Sequence, residues 1–467
     1  MTLIQSISGI RGTIGGKPGE GLSPVDVVQF VGAYGMWLRD IYPDKKHVVV
    51  IGRDARVSGH LVNMLVTATL QAMGIDVIDG GVTTTPTVAM GVTFHHANGG
   101  IVITASHNPK HWNALKFLDH QGEFLTAEHA LGMEDYMHPE RLVFAPVDRL
   151  GKYSFDEGML EMHIEKILAL PAVDVEAIYA AGFTVVLDGI NSSGGIAIPL
   201  LLETLGVKQI IKVYCNPDGQ FSHNPEPLPE HLAELSQQVL THNAHVGFAV
   251  DPDVDRLAIV CEDGEFFGEE YTLVAVADYI LSQQPGNTVS NLSSTQALKE
   301  ITEKHGGTHF YSAVGEANVV TAMKKFQAVI GGEGNGGVIY PPLHYGRDAL
   351  VGIALFLTSL AKSGKTCSLL KKRFPEYFIL KNKIELPSET NMALILEKIR
   401  KKYDKYPHDT TDGVKVYFEK EWVHLRKSNT EPVIRIYAES DDPVKAENLG
   451  EKIIIDIREL LKGEDVF

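Results

Sequence analysis

The chain of 467 residues carries a net charge of −17 and has a mean hydropathy of −0.02, so we expect a globular protein of roughly three or four domains. The negative charge argues against nucleic acid as a partner, and the lack of any run of eighteen apolar residues argues against a membrane span. Three widely spaced cysteines without CxxC spacing, and an N-terminus that lacks a basic region followed by an apolar one, favour a cytoplasmic location.

Alternating apolar strands and amphipathic helices predict a βαβ unit near the start of the chain. Ser23 is a suitable N-cap for the first helix, because Pro24 follows at the first helical position. The predicted elements are a helix over 24–38, a strand over 48–51, a helix over 60–73 and a strand over 75–78. The turn after the first strand holds Arg53, Asp54 and Arg56, which form either an anion site or an Asp–Arg pair that ties loops together.

A succession of strand, serine-rich turn, helix, glycine and strand occurs twice more, beginning with strands over 183–187 and 288–290. This repetition predicts three related α/β domains, and after about residue 370 a different pattern indicates a smaller α+β domain. The elements expected there are strands over 378–384, 414–418, 422–426 and 433–438 and helices over 391–403 and 443–461. The predicted domain limits are 1–150, 151–257, 258–370 and 371–467.

Ser106 is a candidate nucleophile, because it lies on the turn Thr104–Pro109 directly after a predicted buried strand over 100–103. Open α/β sheets place their chemistry at the carboxyl ends of strands. A serine needs activation at neutral pH, and His107 and Lys116 lie close in the sequence. Serine, asparagine and proline also form turns without any chemistry, so a purely structural turn is the alternative.

Asp251, Asp253 and Asp255 alternate directly after an apolar strand, where they can converge on one hard divalent cation such as Mg²⁺. An EF-hand is disfavoured because Arg256 occupies the position of its glycine and the flanking segments are strands. An aspartyl-phosphate motif would require threonine in place of Asp255. A solvated acidic turn is a weaker alternative, since three carboxylates this close repel one another without a cation.

A glycine-dense segment over 331–337 follows another apolar strand and allows close approach of the backbone to a ligand. Glu333 and Asn335 supply groups suited to sugar hydroxyls. The segment over 345–349 is expected to support this loop. A mobile glycine loop without function is the alternative.

Two basic segments are candidates for binding anions. Arg11 lies between two glycines, where a flexible loop can approach an anion closely, although an ordinary surface loop has the same composition. The second segment combines arginines, hydroxyls and an amide in ten residues and favours a phosphate cradle over a charged hairpin tip. Its polar residues are Arg426, Ser428, Asn429, Thr430 and Arg435.

Four of these segments, in this order, resemble the α-D-phosphohexomutase superfamily. They are TASHNP at Thr104–Pro109, DPDVDR at Asp251–Arg256, GEGNGG at Gly332–Gly337 and RKSNTEP at Arg426–Pro432. The resemblance covers essentially the whole chain. It implies an α/β fold of four domains around a central cleft, with three similar mixed α/β domains and a smaller C-terminal α+β domain.

The resemblance also implies a mechanism. Ser106 would hold a phosphoryl group, and Asp251, Asp253, Asp255 and a phosphate oxygen on Ser106 would coordinate Mg²⁺. The phosphoryl group would pass to a phosphorylated hexose or hexosamine through a hexose 1,6-bisphosphate, which also acts as activator. The residues expected to do acid–base work beside Ser106 are Arg11, His107 and Lys116.

The remaining site residues are assigned by the same resemblance. Arg256, Glu333 and Asn335 would contact the sugar. The phosphate that is not transferred would be held by Arg426, Ser428, Asn429, Thr430 and Arg435. The resemblance leaves open whether the protein is a monomer or a homodimer.

The identity of the sugar depends on departures from the family pattern. Glucosamine members mostly resemble GEQSGH at the sugar loop and mannose or glucose members GEMSGH, whereas Asn335 and Gly337 replace the serine and histidine here. GEGNGG resembles a subset assigned to phosphoglucosamine mutases, so we expect glucosamine 6-phosphate to be converted into glucosamine 1-phosphate. The alternatives are a phosphoglucomutase/phosphomannomutase, a metal-dependent sugar phosphatase and a non-catalytic sugar-phosphate sensor.

Overall fold

The computed structural model describes residues 1–6, 9–43, 46–386, 390–427 and 433–461. The strands in these ranges are β1 Leu3–Ser6, β2 Gly9–Thr13, β3 Val48–Arg53, β4 Asp76–Val82, β5 Gly99–Ile103, β6 Trp112–Leu118, β7 Tyr153–Phe155, β8 Thr184–Asp188, β9 Gln209–Val213, β10 Val246–Val250, β11 Leu257–Cys261, β12 Asn287–Asn291, β13 His309–Ser312, β14 Ala328–Glu333, β15 Gly337–Ile339, β16 Phe378–Glu385, β17 His408–Asp409, β18 Val414–Tyr417, β19 Trp422–Lys427 and β20 Val433–Ser440.

The helices in the same ranges are α1 Pro24–Ile41, α2 Gly59–Ala72, α3 Thr85–Phe94, α4 Ala127–Glu134, α5 Met159–Leu168, α6 Val175–Ala181, α7 Gly194–Thr204, α8 Ala233–Thr241, α9 Tyr271–Gln283, α10 Ala297–Lys304, α11 Glu316–Phe326, α12 Ala349–Ser363, α13 Cys367–Lys371, α14 Met392–Lys402 and α15 Pro443–Leu461. The predicted elements named above are all present, with ends that differ by a few residues. Among the described helices, none has both the length and the apolar character needed to cross a membrane.

Two compact units make up the chain, and the first contains Met1–Ile280 and Asn335–Lys371. Its larger sheet has the strand order β1-β2-β6-β5-β3-β4-β7 and is parallel from β5 to β7 and antiparallel from β1 to β5. Its smaller sheet has the order β11-β10-β8-β9, in which β11 alone is antiparallel to its neighbour. Both sheets present the carboxyl ends of parallel strands, which is where the candidate site residues begin.

The first helix shows why the local prediction succeeds. Ser23 and Asp26 form a capping box: the Ser23 side chain accepts from the Asp26 N–H, and Asp26 Oδ2 accepts from the Ser23 N–H at 2.9 Å. Pro24 occupies the first turn, where its missing N–H is not needed. The apolar face of α1 packs Val31 and Tyr34 into the core under the larger sheet.

The second unit contains Leu281–Gly334 and Lys372–Phe467. Strands β13, β12 and β14 are parallel neighbours, as in the α/β units of the first part of the chain. The strands of the C-terminal region form an antiparallel sheet in the order β16-β20-β19-β18-β17. Ile395 and Ile399 of α14 and Ile453 and Ile457 of α15 pack against this sheet, which is the predicted α+β arrangement.

Candidate active site

Ser106 follows β5 on a tight turn and has a left-handed backbone with φ of 49°. Residues other than glycine rarely adopt this conformation, and where they do the surrounding contacts must hold it. The Ser106 N–H donates to Thr104 Oγ1 at 2.9 Å, and the Thr104 hydroxyl donates to Asp54 Oδ2 at 2.7 Å. The turn therefore presents the Ser106 hydroxyl in a fixed direction.

Arg56 holds the same turn from behind, through a guanidinium that is fully buried. Its Nε donates to Asp54 Oδ2 at 2.9 Å. Its remaining N–H groups donate to the carbonyl oxygens of Ser106, Asn108 at 2.7 Å, Pro109 at 2.8 Å and Trp112 at 3.2 Å. Of the two interpretations of the Arg53–Arg56 turn, the geometry supports an Asp–Arg pair that ties loops together.

The three carboxylates Asp251, Asp253 and Asp255 are fully buried after β10, and their oxygens converge within 4.8 Å. Val254 lies between them with φ of 63°, a conformation that a β-branched residue adopts only under tertiary constraint. This turn brings the N–H groups of Asp255 and Arg256 to Asp251 Oδ1, both at 3.1 Å. The alternating carboxylates therefore lie on one side of the loop, as the spacing predicted.

The Ser106 hydroxyl donates to Asp251 Oδ2 at 2.7 Å, so the candidate nucleophile lies against the carboxylate cluster. Burial, followed by the negative charges of Asp255 and Asp253, raises the pKa of Asp251 well above its ordinary value. Among the described residues, no partner donates a hydrogen bond to the buried Asp253 Oδ1 or Asp255 Oδ1. Because a buried oxygen without a partner is costly, these oxygens fit a site for a hard divalent cation such as Mg²⁺.

The other oxygens of the cluster are held by protein groups. Lys116 Nζ, on β6, lies 2.7 Å from Asp253 Oδ2 and 3.7 Å from Asp255 Oδ2. The Thr85 hydroxyl donates to Asp253 Oδ2 at 2.6 Å, and Arg347 Nη2 donates to Asp255 Oδ2 at 2.7 Å. Thr85 was not predicted as a site residue, because a threonine at the start of a helix has an ordinary capping composition.

His107, Arg11 and Arg256 also lie close to Ser106. His107 Nδ1 is 3.3 Å from Ser106 Oγ, and Arg11 Nη1 donates to Asn108 Oδ1 at 3.4 Å. Burial, with the positive charges of Arg256 and Arg11, lowers the pKa of His107 well below its ordinary value, so the ring is neutral at pH 7.

The side chain of Arg256 lies near a carboxylate that the sequence did not reveal. Glu226 Oε1 is 3.4 Å from Arg256 Nη1 and 4.0 Å from His107 Nε2. Arg256 Nε is buried without a hydrogen-bond partner among the described residues. The first unit therefore brings together Arg11, Ser106, His107, Lys116, Asp251, Asp253, Asp255 and Arg256, all of which were predicted from the sequence.

The glycine-dense loop is divided between the two units, and Asn335 belongs to the first. The Asn335 side-chain oxygen accepts from the Gly337 N–H at 3.2 Å. Gly336 has φ of +83°, and a Cβ added there would lie 2.3 Å from the Leu257 carbonyl oxygen. Glycine is therefore required at 336, and the Leu257 N–H donates to the Gly336 carbonyl at 3.0 Å. This contact fixes the loop next to the carboxylate turn.

Glu333 belongs to the second unit, where it is buried at the end of β14. Its Oε1 accepts from Asn291 Nδ2 at 2.8 Å and from the Gly315 N–H at 3.1 Å. The end of β12 and the segment between β13 and α11 thus hold the Glu333 carboxylate in one orientation.

Arg426 and Arg435 lie directly opposite each other on the neighbouring strands β19 and β20. Like charges in this register repel each other. Arg426 Nε is buried and has no hydrogen-bond partner in the described part of the chain. Both features favour an anion site, while the other predicted phosphate ligands, Ser428, Asn429 and Thr430, lie outside the described residues.

His424, also on β19, is a buried histidine that folding keeps neutral. Its Nε2 donates to the Asp412 carbonyl oxygen at 2.6 Å, and its Nδ1 is 3.0 Å from Ser293 Oγ. Burial lowers the pKa of His424 to about 4. The unfolded chain binds a proton at about pH 6.5, so between those values the unfolded state holds more protons and stability falls as the pH falls.

We expect protonation of His424 in the unfolded chain to lower the free energy of unfolding by about 2 kcal/mol when the pH falls from 7 to 5. Urea denaturation of the wild type and of His424→Gln at both pH values measures it. The variant should lose less stability than the wild type on acidification. His408→Gln, which changes an exposed histidine on β17, is the matched control and should behave as the wild type. An equal loss in His424→Gln and wild type would contradict the assignment.

Comparison with known protein families agrees with this architecture. Four family models match in succession, for the phosphoglucomutase/phosphomannomutase alpha/beta/alpha domains I, II and III and the C-terminal domain. They cover residues 3–142, 161–264, 268–378 and 383–455.

Individual relatives extend over nearly the whole chain. A phosphoglucomutase/phosphomannomutase of Thermococcus kodakarensis is 35% identical, covering 97% of this chain and 99% of the relative. A probable phosphoglucosamine mutase of Methanopyrus kandleri is 33% identical, covering 97% of each chain. The crystal structure of a phosphoglucomutase/phosphomannomutase family protein from Burkholderia thailandensis is similar with a TM-score of 0.83 at 25% identity, covering 97% of this chain and 96% of that one.

These matches confirm the predicted superfamily, the four-domain α/β fold class and the assignment as an isomerase that transfers phosphate within its substrate. They do not distinguish between glucosamine and glucose or mannose, since the relatives carry both names. The chain belongs to the phosphoglucomutase/phosphomannomutase family of phosphohexomutases.

Proposed function

We propose that this phosphohexomutase converts glucosamine 6-phosphate into glucosamine 1-phosphate through a phosphorylated Ser106 and a hexose 1,6-bisphosphate. The observation that carries the proposal is the hydrogen bond of 2.7 Å from Ser106 Oγ to Asp251, inside a cluster whose other carboxylates keep two buried oxygens without hydrogen-bond partners among the described residues. A serine used only for a turn has no need of this environment.

In the first transfer, the bond between phosphorus and Ser106 Oγ breaks and a bond forms from phosphorus to the free hydroxyl oxygen of the sugar phosphate. The proton of that hydroxyl ends on Ser106 Oγ. In the second transfer Ser106 Oγ attacks the phosphorus of the other phosphate of the bisphosphate, and the bond from that phosphorus to the sugar oxygen breaks. The proton that Ser106 loses ends on that sugar oxygen. His107 Nδ1, 3.3 Å from Ser106 Oγ, is placed to take and return it. Arg11 and Lys116 supply positive charge beside the transferred group.

Asp251, Asp253 and Asp255 are the residues that would hold Mg²⁺, together with an oxygen on Ser106. When bound there, Mg²⁺ supplies positive charge to the phosphoryl group. The donor set fits this ion because it consists of carboxylate oxygens. Lys116, Thr85 and Arg347 keep those carboxylates in fixed orientations.

The remaining roles belong to residues that bind the substrate. Glu333 and Asn335 accept or donate hydrogen bonds to sugar hydroxyls, and Arg256 also binds the substrate. The phosphate that is not transferred is held by Arg426, Ser428, Asn429, Thr430 and Arg435. The facing positions of Arg426 and Arg435 on neighbouring strands support this assignment, since two guanidiniums there can bind one phosphate.

The same proposal includes the domain limits, the location and the oligomeric state. The proposed domains extend over 1–150, 151–257, 258–370 and 371–467. The protein is proposed to act in the cytoplasm as a monomer or homodimer. The GEGNGG loop supports glucosamine as substrate. A second candidate, a phosphoglucomutase/phosphomannomutase, is favoured by the name of the relative from Thermococcus kodakarensis.

A side-by-side assay of glucosamine, glucose and mannose 1-phosphates, with Mg²⁺ and a hexose 1,6-bisphosphate, tests the proposal. We expect the highest kcat/KM for the glucosamine substrate and loss of turnover in EDTA that Mg²⁺ restores. A higher kcat/KM for glucose or mannose 1-phosphate would select the second candidate. Inorganic phosphate released at the rate of sugar consumption would indicate a phosphatase, and binding without turnover would indicate a sensor.

A further inference from the structure

A chain of buried polar side chains lies behind the carboxylate cluster, with His163 of α5 at its centre. His163 is fully buried. Its Nδ1 is hydrogen-bonded to Thr87 Oγ1 at 3.0 Å, and its Nε2 to Asp348 Oδ2 at 2.9 Å. His344 Nε2 reaches the same Asp348 oxygen at 3.2 Å. The imidazole therefore connects α3 with the start of α12.

Both ends of this chain lead to the carboxylate cluster. Thr87 lies in the first turn of α3, where the Thr84 side chain accepts from the Thr87 N–H at 3.1 Å. Between them Thr85 contacts Asp253 twice, because its N–H donates to the Asp253 carbonyl at 2.9 Å and its hydroxyl to Oδ2 at 2.6 Å. The His163 contact thus fixes the helix turn that holds Asp253.

The other end reaches Asp255. Asp348 is the N-cap of α12, and its Oδ1 accepts from the N–H groups of Leu350 at 2.8 Å and Val351 at 3.3 Å. The preceding residue, Arg347, donates to Asp255 Oδ2 at 2.7 Å. The hydrogen bonds that hold the Asp348 carboxylate therefore also fix the neighbouring residue Arg347, which holds Asp255.

Each of the first three family models contributes one member of the chain. Thr87 lies in the segment matched by domain I, His163 in that of domain II and Asp348 in that of domain III. A single imidazole, with two ring nitrogens that point apart, can join two such elements at once. The arrangement is a brace across three domains.

His163, His344 and Asp348 have the residue types of a transition-metal site, and their ligand atoms lie within 4.8 Å of one another. Within the trio, however, Asp348 Oδ2 is hydrogen-bonded to the imidazoles of both His163 and His344. Burial alone would raise the pKa of Asp348. The electrostatic interactions and hydrogen bonds that His163 and His344 make with this carboxylate outweigh the effect of burial and hold its pKa well below the ordinary value. Among the described residues, the buried His344 Nδ1 has no hydrogen-bond partner in the trio, and in the carboxylate cluster Asp253 Oδ1 and Asp255 Oδ1 have none. The trio is a hydrogen-bonded brace.

We propose that His163 is a positioning residue for the cation site: by bracing the start of α3 and of α12, it holds Thr85 on Asp253 and Arg347 on Asp255. The inference rests on the proposed function in one respect, that Asp251, Asp253 and Asp255 bind a divalent cation. Among the described residues, His163 is hydrogen-bonded to Thr87 and Asp348 and not to the three carboxylates, so its effect reaches Asp253 and Asp255 through neighbouring side chains.

Mn²⁺ binding followed by electron paramagnetic resonance tests the inference without any turnover. The variants are His163→Phe, which removes both contacts, His163→Gln, which can keep one, and Thr87→Val, which breaks the chain at its other side. His95→Gln is the matched control, because His95 Nε2 makes a contact of 2.7 Å with Asp156 in the same unit but outside the brace. Thermal unfolding of each variant shows that it is folded.

We expect the Mn²⁺ dissociation constant to rise by about tenfold in His163→Phe and Thr87→Val, in the range seen when outer-shell partners of metal ligands are removed. His163→Gln should show a smaller increase, and His95→Gln should match the wild type. If His163→Phe does not fold, Thr87→Val and His163→Gln decide the question. Folded variants that bind Mn²⁺ as the wild type does would overturn the inference.

Two further outcomes separate this inference from the proposed function. If the wild type binds no Mn²⁺, or if Asp253→Asn leaves Mn²⁺ binding unchanged, the cation site fails and the inference fails with it. If Asp253→Asn abolishes binding while the brace variants bind normally, only the inference fails. One equivalent of zinc that remains after purification and is lost in His163→Phe, with Mn²⁺ affinity unchanged, would show that the trio is itself a metal site.

Discussion

Replacing Ser106 by alanine is expected to lower kcat by about 10³-fold or more, because it removes the hydroxyl that is proposed to carry the phosphoryl group. The variant should fold, since the hydroxyl is a small part of the turn and the Ser106 N–H keeps its bond to Thr104. A coupled assay of sugar phosphate conversion gives kcat. Mass spectrometry of the peptide that contains residue 106, after incubation with a hexose 1,6-bisphosphate, shows whether phosphate has been transferred.

Ser154→Ala is a suitable control, because Ser154 lies on β7 in the same sheet and only donates to the Val77 carbonyl at 3.3 Å. It should keep wild-type kcat. A Ser106→Ala protein that turns over at more than about a tenth of the wild-type rate would exclude a phosphoserine mechanism. Phosphate found on another residue would move the nucleophile elsewhere.

Arg56→Met is expected to reduce the free energy of unfolding by about 3–5 kcal/mol, the usual cost of leaving one buried charge without its partner. Methionine retains much of the side-chain volume but leaves Asp54 without its ion pair and removes the Arg56 donor from four carbonyl oxygens, of which that of Pro109 keeps the Trp112 N–H at 3.0 Å. The Ser106 turn loses its support from behind, so kcat should fall as well. Urea denaturation measures the stability and the coupled assay the activity.

Arg53→Met provides the comparison, since Arg53 is the other arginine of the same turn and is only partly buried. Its unfolding free energy should change much less. Adding Asp54→Asn to Arg56→Met should recover part of the lost stability, because it removes the unpaired charge. Equal destabilisation by Arg53→Met and Arg56→Met would mean that the buried ion pair is not the cause.

The residues proposed to do the chemistry were predictable because they cluster in sequence. Asp251, Asp253 and Asp255 alternate after a buried strand, and Ser106 lies on a turn after another. Both patterns follow from local rules, the convergence of closely spaced carboxylates at a strand end on one hard cation and the turn propensity of Asn and Pro. The capping box of Ser23 and Asp26 is equally local and gave the start of α1.

The residues that hold those groups in place could not be predicted in the same way. Thr85 lies 168 positions from Asp253, and Arg347 lies 92 positions from Asp255. The sequence around His163 has the composition of an ordinary amphipathic helix, and the hydrogen-bond partners of His163 come from two other segments. Such contacts depend on how domains pack, which a single sequence does not specify. The resemblance to a family identified the candidate site residues, and the structure identified the residues that hold them in place.

The facing arginines Arg426 and Arg435 have a consequence for selectivity. The protein as a whole carries a charge of −17, so its long-range field repels anions. At Arg426 and Arg435 the local potential is positive, because the sheet register places the two arginines opposite each other. Salt screens the repulsive field over a distance of about 10 Å, whereas a fork of N–H groups acts at contact. Under the proposed function, these two arginines therefore select anions by how well their shape fits that fork.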